Sequence, residues 1–511
     1  MISLAIILIV FTVLLYYGTK PYDYWKKKRI KHERPWPFVG NNFQVFFLKK
    51  SISELAEEYY WRYPDEKVLG FYRALKPELI IRDPELVKRV LIQDFPYFHS
   101  RGMLPDKKDV EPLMRNLFTA EGDYWKLVRQ RMTPTFTSGK LKAMFPLIVE
   151  RAEKLKARTL NAAAEGTVLD AKDLMARYTI DFIGACGFGL DADSLNQEDS
   201  EFRKLGIKIF QVRLRDVFVS LLKQFFPETF RGFKVMDHLE YELKEFVGSM
   251  MKKRNYKSCG RGDFIDLLLD CRQQGTVYGE SIEKIHNGVP EMASLEFDDD
   301  LITAQVFVFF AAGFETSSSA TSFTLHQLAY HPHIQEKVRA EIDFVLTKHG
   351  GKLSYDAIKE MTYLEWTLKE ALRLFPTLGF LIRECARPYH FPELNLTIDK
   401  GVTVLIPVQA LHKDPLYFKN PEEFRPERFH PDEFDSVQKY LYLPFGEGPR
   451  ACIGARLGLM QSIAGLAAIL STFTVEPAPQ SIRHPIINSR SIVVQSIKGG
   501  LPLLFKERKA V

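Results

Sequence analysis

Near its C-terminus the chain reads Phe445-Gly446-Glu447-Gly448-Pro449-Arg450-Ala451-Cys452-Ile453-Gly454. This loop surrounds one thiol, that of Cys452, with glycines and places the fixed cation of Arg450 two residues before it. Glycines let a backbone approach a flat ligand closely and aim its N–H groups at a sulfur, which lowers the basicity of a thiolate. The loop therefore suits a metal ion held by a single sulfur, just before a helix predicted from Ala455 to Phe473.

Two simpler interpretations compete for this loop. A lone intracellular cysteine is most often a small core residue. The loop also satisfies G-x-G-x-x-A, a dinucleotide fingerprint, but Pro449 and Arg450 interrupt it and the acidic residue expected about 20 positions later is missing. The full pattern F-x-x-G-x-R-x-C-x-G is more specific than either, and it resembles the haem-binding loop of the cytochromes P450. The resemblance implies that Cys452 ligates haem iron.

A second stretch with chemical character lies in Leu301 to Leu328, which we predict to be one long helix crossing the core. It contains Ala312-Gly313-Phe314-Glu315-Thr316, which resembles the A-G-x-D/E-T of the same family. The resemblance implies that Thr316 and Glu315 manage protons during oxygen activation and that Gly313 leaves room for O2. Helical spacing places four residues near Thr316, where we expect them to line the pocket: Gln305, Val308, Phe309 and Ala312.

Several arginines are candidates for holding the carboxylates of the cofactor. Trp125 and Arg129 are spaced i, i+4, so on a helix they share one face. They precede Thr133-Pro134-Thr135-Phe136-Thr137-Ser138-Gly139-Lys140, which resembles the same region in the P450 clan of vertebrate family 3 and insect family 6. The resemblance implies that Trp125 and Arg129 contact a haem propionate. It assigns further cofactor-binding positions to Phe445, Arg450, Arg383 and Arg101.

A three-residue set is predicted to support the cysteine loop. Glu370 and Arg373, spaced i, i+3, resemble the E-x-x-R of the family, and Arg428 matches its third member. If the three are buried together, removal of one leaves a buried charge without its partner. Their predicted role is structural, in haem incorporation.

The N-terminus carries a membrane signal. Residues Ile2 to Tyr17 are apolar apart from Ser3 and Thr12, and with Gly18 and Thr19 the run reaches the roughly 17 to 25 residues that span a bilayer. The cations follow the run instead of preceding it, which argues against a cleaved signal peptide and keeps the remaining chain cytosolic. We predict a membrane anchor at 1–19, a basic and proline-containing hinge at 20–41, and one cytosolic domain at 42–511, on the endoplasmic reticulum.

Composition limits the other classes. The length of 511 residues corresponds to about three domains, but no linker or repeat divides the chain after the hinge. A hydrophobic fraction of 46% with 39 Phe supports a deep core, and a net charge of +6, spread along the chain, does not suggest nucleic-acid binding. The five cysteines lack C-x-x-C spacing, which argues against a disulfide framework, a zinc ribbon and an iron–sulfur site.

The expected fold is mainly α with small β-sheets (α+β), the fold of the cytochromes P450. Two short strands are predicted at Val68–Tyr72 and Glu78–Arg82, and Leu141 to Asp299 is expected to be mostly amphipathic helix. The resemblance implies that the aromatic residues between Ile209 and Phe230 lie over the substrate entrance and contact the membrane.

The resemblance implies a haem-thiolate monooxygenase with haem b as cofactor and O2 as co-substrate, acting on a lipophilic small molecule. The chain has no credible flavin or nicotinamide site, so the electrons of NADPH must arrive through NADPH–cytochrome P450 reductase, with cytochrome b5 as a second candidate donor. Similarity to insect family 6 implies detoxification of plant toxins or insecticides, with endogenous lipid metabolism as the other candidate role. Two alternatives stay open, a P450-fold isomerase or dehydratase acting without O2 and a non-enzymatic haem carrier or sensor, and neither consumes NADPH.

Overall fold

The computed structural model describes residues 2–104, 110–211, 213–226, 228–491 and 493–508, most of them in helices. The helices have the following bounds: α1 Ile2–Thr19, α2 Tyr24–Lys27, α3 Phe43–Phe46, α4 Ile52–Arg62, α5 Pro84–Lys88, α6 Gly122–Met132, α7 Ser138–Glu165, α8 Ala171–Ile183, α9 Glu201–Phe210, α10 Leu214–Phe225, α11 Asp237–Lys253, α12 Phe264–Gln274, α13 Asp299–Tyr330, α14 Pro332–Lys348, α15 Tyr355–Glu360, α16 Thr362–Leu374, α17 Val408–His412, α18 Ser436–Leu441 and α19 Ala455–Thr472. The strands are β1 Val68–Arg73, β2 Lys76–Ile81, β3 Leu169–Asp170, β4 Thr276–His286, β5 Val289–Glu296, β6 Leu381–Glu384, β7 Tyr389–Phe391, β8 Leu396–Ile398, β9 Thr403–Ile406, β10 Phe473–Pro477 and β11 Pro502–Glu507.

The sheets are small and separate. The largest has the strand order β1-β2-β9-β6, with β1 and β2 antiparallel and β2 and β9 parallel. A second sheet has the order β10-β11-β3, and β4–β5 and β7–β8 are two-stranded. The two strands predicted from sequence are confirmed as β1 and β2, and the mainly α architecture with small sheets is confirmed.

The long helix α13 crosses the core, as predicted. Asp298 caps its start by accepting a hydrogen bond from the N–H of Leu301 at 2.6 Å, and the helix ends before Pro332, which disfavours a helical conformation at the preceding residue. Among the described residues, α13 and α19 are long and apolar enough to cross a membrane, but 67% and 61% of their most apolar windows are buried. Both are therefore core helices, and they position the site described below.

The stretch from Leu141 to Asp299 is mostly helical, as expected, but residues 276–296 form the antiparallel hairpin β4–β5, which was not predicted. The turn between the strands is Asn287-Gly288, and both residues have positive φ, 51° and 81°. Asn-Gly is the preferred sequence for a two-residue turn of this kind, because both positions require φ above zero. This dipeptide was the local signal that the helix prediction overlooked.

The N-terminal segment packs onto the first sheet. Trp25 is fully buried and its indole N–H donates to the carbonyl of Phe71 at 2.9 Å, while the Tyr22 hydroxyl donates to the carbonyl of Trp36 at 2.8 Å. Residues after Thr19 therefore contact the body of the protein directly. The anchor at 1–19, the hinge at 20–41 and the boundary at 42 stay predictions.

Candidate functional site

The loop that carries Cys452 has a left-handed backbone, which favours glycine, at two positions. Gly446 and Gly448 have φ of 68° and 74°, and a Cβ atom on Gly448 would lie 2.0 Å from the carbonyl oxygen of Leu91. The N–H of Cys452 donates to the carbonyl of Phe445 at 2.8 Å, which closes the loop. Phe445 thus contributes to the site through its backbone.

Cys452 combines dense protein surroundings with an accessible side chain. Burial raises the pKa of its thiol, while a hydrogen bond from the backbone of Gly454 and the charges of Arg129 and Arg101 act in the opposite direction. The side chain is nevertheless accessible to solvent. An accessible sulfur with positive charges nearby suits a metal-binding thiolate.

The arginines predicted for cofactor binding lie together beside this loop. Arg450 donates through Nε to the carbonyl of His99 at 2.8 Å, and Arg101 donates to the carbonyl of Arg450 at 3.3 Å. Arg383 donates through Nη1 to the carbonyl of Ile382 at 2.8 Å. Arginines separated by several hundred positions in the chain thus form one cationic cluster.

The cluster is electrostatically unfavourable as it stands. Burial, then the neighbouring arginines, lowers the pKa of Arg450 to about 7, although Glu121 acts in the opposite direction. Burial also lowers the pKa of Arg383 to about 9 and that of Arg101 to about 10. Arginine stays protonated in proteins, so a bound anion would offset the repulsion among these neighbouring charges.

Three nitrogen atoms of the cluster have unmet hydrogen-bonding capacity. Nη1 and Nη2 of Arg450 and Nε of Arg383 are buried and find no hydrogen-bond partner within the described part of the chain. Buried donors normally find partners, and buried charges are normally paired. The site therefore suits a ligand with carboxylate or similar anionic groups.

Helix α6 supplies the aromatic wall of the cluster. The guanidinium carbon of Arg450 lies 4.1 Å from the ring centroid of Trp125, which is buried. Arg129, one turn later on α6, donates from Nη1 to the carbonyl of Ala451 at 2.9 Å. Trp125 and Arg129 thus both contact the cysteine loop, on the shared helix face that their spacing predicted.

Helix α13 presents a narrow accessible strip in an otherwise buried helix. Ala312 is exposed and Val308 and Thr316 are half-buried, at intervals of four residues. The hydroxyl of Thr316 donates to the carbonyl of Ala312 at 2.6 Å. These three positions are accessible, as a pocket face requires, and their role in lining the pocket stays a prediction.

Two other predicted pocket residues have different roles. Gln305 has no accessible surface, and its amide bonds the carbonyl of Arg115 and the N–H of Leu117, each at 3.0 Å. The prediction that Gln305 lines the pocket is therefore wrong. Phe309 stacks on Phe264, with ring centroids 3.7 Å apart, so much of its surface serves packing.

Glu315 points away from Thr316 and towards α8. Its Oε1 lies 2.9 Å from Nζ of Lys172, which also donates to the hydroxyls of Ser318 and Ser319. Burial lowers the pKa of Lys172, and the charge of Glu315 acts in the opposite direction. Sequence reasoning missed Lys172, which lies 143 residues from its partner and belongs to no motif.

Gly313 has a packing reason to be glycine. A Cβ atom there would lie 2.6 Å from Cδ1 of Ile183, at the end of α8. The absent side chain allows α13 and α8 to approach each other closely. The predicted role of Gly313 in making room for O2 stays a prediction.

The three-residue set behind the loop is buried together, as predicted. Glu370 accepts two hydrogen bonds from Arg373, at 2.8 and 2.9 Å, and one from Nε of Arg428 at 3.3 Å. Arg373 also donates to the carbonyl of His412, and Nε2 of His412 accepts from the N–H of Leu443 at 2.9 Å. This network reaches the residues directly before the cysteine loop.

Comparison with known proteins gives full-length matches. A family model described as Cytochrome P450 matches residues 30–503. The chain is 35% identical to Cytochrome P450 6B2 of Helicoverpa armigera over 99% of this chain and 98% of that protein. It is 36% identical to Cytochrome P450 6a2 of Drosophila melanogaster, over 98% and 99% of the two chains, and 38% identical to Probable cytochrome P450 6a23 of the same species, over 91% of each.

Proposed function

Because this chain belongs to the cytochrome P450 family and is a monooxygenase of that type, we propose that it inserts one oxygen atom of O2 into a lipophilic small molecule with electrons from NADPH–cytochrome P450 reductase. The family implies a haem cofactor and O2. The observation that carries the site assignment is the cluster of buried arginines beside Cys452, with three unsatisfied nitrogen atoms.

The residues of the site fit a haem b. The group is flat, carries two carboxylates and would take a ligand atom from the protein. Cys452 supplies an accessible sulfur, and Arg450 and Arg383 supply buried positive charge whose three nitrogen atoms find no partner in the described part of the chain. Arg101 adds a further positive charge beside them. When bound, haem supplies O2 binding and reductive O–O bond cleavage, which the thiolate ligand favours.

The remaining chemistry belongs to side chains of the chain. The hydroxyl of Thr316, on the accessible strip of α13, donates to the carbonyl of Ala312 in this structure. In the reaction it would rotate away from that carbonyl and donate its hydrogen bond towards the O2 site. Glu315 exchanges protons with this hydroxyl through water, and the ion pair with Lys172 restrains its carboxylate. To act in this way, the carboxylate of Glu315 must move away from Lys172 of α8. The ion pair with Lys172 therefore controls whether Glu315 can exchange protons with Thr316.

The proposed setting is the cytosolic face of the endoplasmic reticulum membrane. Helix α1 exposes the apolar side chains Ile6, Leu8, Ile9, Phe11 and Val13, as a bilayer anchor would. Leu214 and Phe218 of α10 are also exposed, which supports contact with lipid near the substrate entrance. Substrate that partitions into the bilayer can then reach the site without crossing water.

Reductase, and cytochrome b5 as a second donor, are proposed to dock near the cysteine loop. Arg456 lies exposed in the first turn of α19, four residues after Cys452. An exposed cation at this position suits an acidic electron-transfer partner and makes the docking sensitive to salt. The proposed substrates are plant toxins, insecticides or endogenous lipids.

The test of the anion-binding assignment is Arg383→Met in the full-length protein. Hydrogen bonds to charged groups contribute about 1.5–3 kcal/mol, so haem affinity should fall about ten- to hundredfold, whereas the apoprotein should unfold no more easily, since a buried charge has been removed. Arg387→Met is the matched control, because Arg387 lies nearby but is exposed and stacks on Tyr97. Unchanged haem affinity in Arg383→Met would refute the assignment.

The test of the reaction uses the protein reconstituted in vesicles with reductase. We expect NADPH and O2 to be consumed with formation of hydroxylated product from a lipophilic substrate identified by its spectral shift on binding. Product formation from a peroxide without NADPH or reductase would instead support the isomerase or dehydratase alternative. Binding of carbon monoxide without NADPH consumption on any substrate would support a carrier or sensor.

A further inference from the structure

The hairpin β4–β5 lies directly on the outer face of helix α6. Asp123 of α6 accepts hydrogen bonds from the Ser281 hydroxyl at 2.7 Å and from the N–H groups of Ile282 and Glu283 at 2.6 and 3.3 Å. Ser281 is buried and its hydroxyl accepts in turn from the N–H of Lys284 at 2.7 Å. One carboxylate thus organises the irregular part of β4, where the strand register shifts.

We propose that Asp123 is a positioning residue: it locks the hairpin onto α6 and thereby holds Trp125 and Arg129 against the cysteine loop. This inference rests on the proposed function, because it assumes that Trp125 and Arg129 border the haem. It assigns a role to a hairpin and a carboxylate that the sequence analysis did not single out.

The packing between hairpin and helix is close enough to transmit this restraint. A Cβ atom on Gly279 of β4 would lie 2.8 Å from Cδ2 of Leu127. A Cβ atom on Gly122, at the start of α6, would lie 2.3 Å from the carboxyl carbon of Glu283. The hairpin and α6 therefore approach each other closely on either side of Asp123: the backbone of Gly279 lies against the side chain of Leu127, and the side chain of Glu283 lies against the backbone of Gly122.

Helix α6 needs an external restraint. It has 11 residues, and Glu121, which precedes it, makes no side-chain capping hydrogen bond. A helix of this length is marginal in isolation and depends on tertiary contacts. The carboxylate of Asp123 lies in its first turn, where a negative charge is favourable, and joins that end of the helix to the hairpin.

The two faces of α6 contact different parts of the protein. The inner face carries Trp125, with the Arg450 guanidinium 4.1 Å from its ring centroid, and Arg129, bonded to the carbonyl of Ala451. The outer face carries Asp123 and Leu127, which the hairpin covers. Binding sites lose function when supporting contacts leave a residue about 1 Å out of place.

The hairpin also connects α6 to the other wall of the site. Phe297 is buried directly after β5, and Asp298, the cap of α13, pairs with Arg115 at 2.8 Å. Helix α13 carries Thr316. The hairpin therefore connects the start of α13, which carries Thr316, to α6, which borders the cysteine loop.

The test compares Asp123→Ala with the wild type as full-length holoprotein in detergent. We expect haem transfer to excess apomyoglobin to be about tenfold faster, in line with the effect of losing a supporting contact around a bound cofactor. We also expect faster hydrogen–deuterium exchange in α6 and a shifted haem reduction potential. Asp123→Asn, which keeps an acceptor oxygen, should recover part of the effect.

Two further variants sharpen the result. Glu280→Gln is the matched control on the same strand, since Glu280 is exposed and its carboxylate lies 3.9 Å from Nζ of Lys126, a weak surface pair; it should behave as wild type. Ser281→Ala removes one hydrogen-bond donor to Asp123 and leaves the carboxylate in place. It should show the same changes with smaller magnitude. If Asp123→Ala does not fold, Ser281→Ala replaces it as the test of the positioning role.

The outcomes separate this inference from the proposed function. A wild type without a thiolate-type carbon monoxide spectrum would refute the proposed function. A normal wild type with Asp123→Ala and Ser281→Ala at wild-type transfer, exchange and potential would overturn the positioning role alone. A lowered unfolding midpoint without any change in potential or haem transfer would also overturn it, because the contact would then be merely structural.

Discussion

Replacing Glu370 by glutamine tests the buried network behind the cysteine loop. The side chains of Glu370 and Arg373 have no accessible surface, and that of Arg428 has almost none. The carboxylate oxygens accept from Arg373 at 2.8 and 2.9 Å, from Arg428 at 3.3 Å and from the N–H of Arg425 at 3.0 Å. Glutamine has nearly the same shape but leaves two buried guanidinium groups without a counter-charge.

The expected cost is large in relation to ordinary protein stability. Breaking a buried ion pair by neutralising one partner costs about 3–5 kcal/mol, and a folded domain is stable by only about 5–15 kcal/mol. Glu370→Gln should therefore lower the free energy of unfolding by about 3–5 kcal/mol. Because the network continues through His412 to Leu443, haem incorporation should fall as well.

The assay is urea unfolding of the full-length apoprotein, followed by tryptophan fluorescence, together with the haem content after expression. Glu365→Gln is the control on the same helix, where Glu365 pairs with Lys369 at 2.6 Å but both side chains are partly exposed. A surface pair of this kind contributes about 0–1 kcal/mol. Equal shifts for Glu370→Gln and Glu365→Gln would refute the reasoning.

Three further substitutions test other contacts. Gly448→Ala should abolish thiolate-type haem binding, measured by the carbon monoxide spectrum, because its Cβ would lie 2.0 Å from the carbonyl of Leu91; a normal spectrum would contradict this. Gly313→Ala should lower the unfolding midpoint through its contact with Ile183, and adding Ile183→Ala should restore part of the loss; purely additive losses would contradict this. Lys172→Met should change the yield of product per NADPH, measured with reductase, and an unchanged yield would remove Lys172 from proton delivery.

Features that depend on local sequence were accessible to prediction. The cysteine loop follows from the order of its glycines, and the structure shows positive φ at Gly446 and Gly448. The shared face of Trp125 and Arg129 follows from helical spacing, and both contact the loop. The loop conformation and the shared helix face each involve residues that are close in the chain, so residue type and spacing are enough to predict them.

Features that depend on tertiary contacts were not accessible. Gln305 lies near the Thr316 face by helical spacing, but its side-chain amide forms hydrogen bonds with the backbone of Arg115 and Leu117 in a distant loop. Lys172 reaches Glu315 across two packed helices, and no pattern in the sequence connects them. The hairpin at residues 276–296 differs from these, because the local sequence does indicate it: Asn287-Gly288 is a typical hairpin turn, and this signal was overlooked.

The most direct measurement is the carbon monoxide difference spectrum of the purified, reduced full-length protein, compared with that of Cys452→Ser. Cys385→Ser is the control, since Cys385 is buried away from the loop with its thiol bonded to the carbonyl of Arg387. We predict a thiolate-type spectrum for the wild type and Cys385→Ser, and its loss in Cys452→Ser. The spectrum of an imidazole-ligated haem in the wild type, or full activity in Cys452→Ser, would contradict the account.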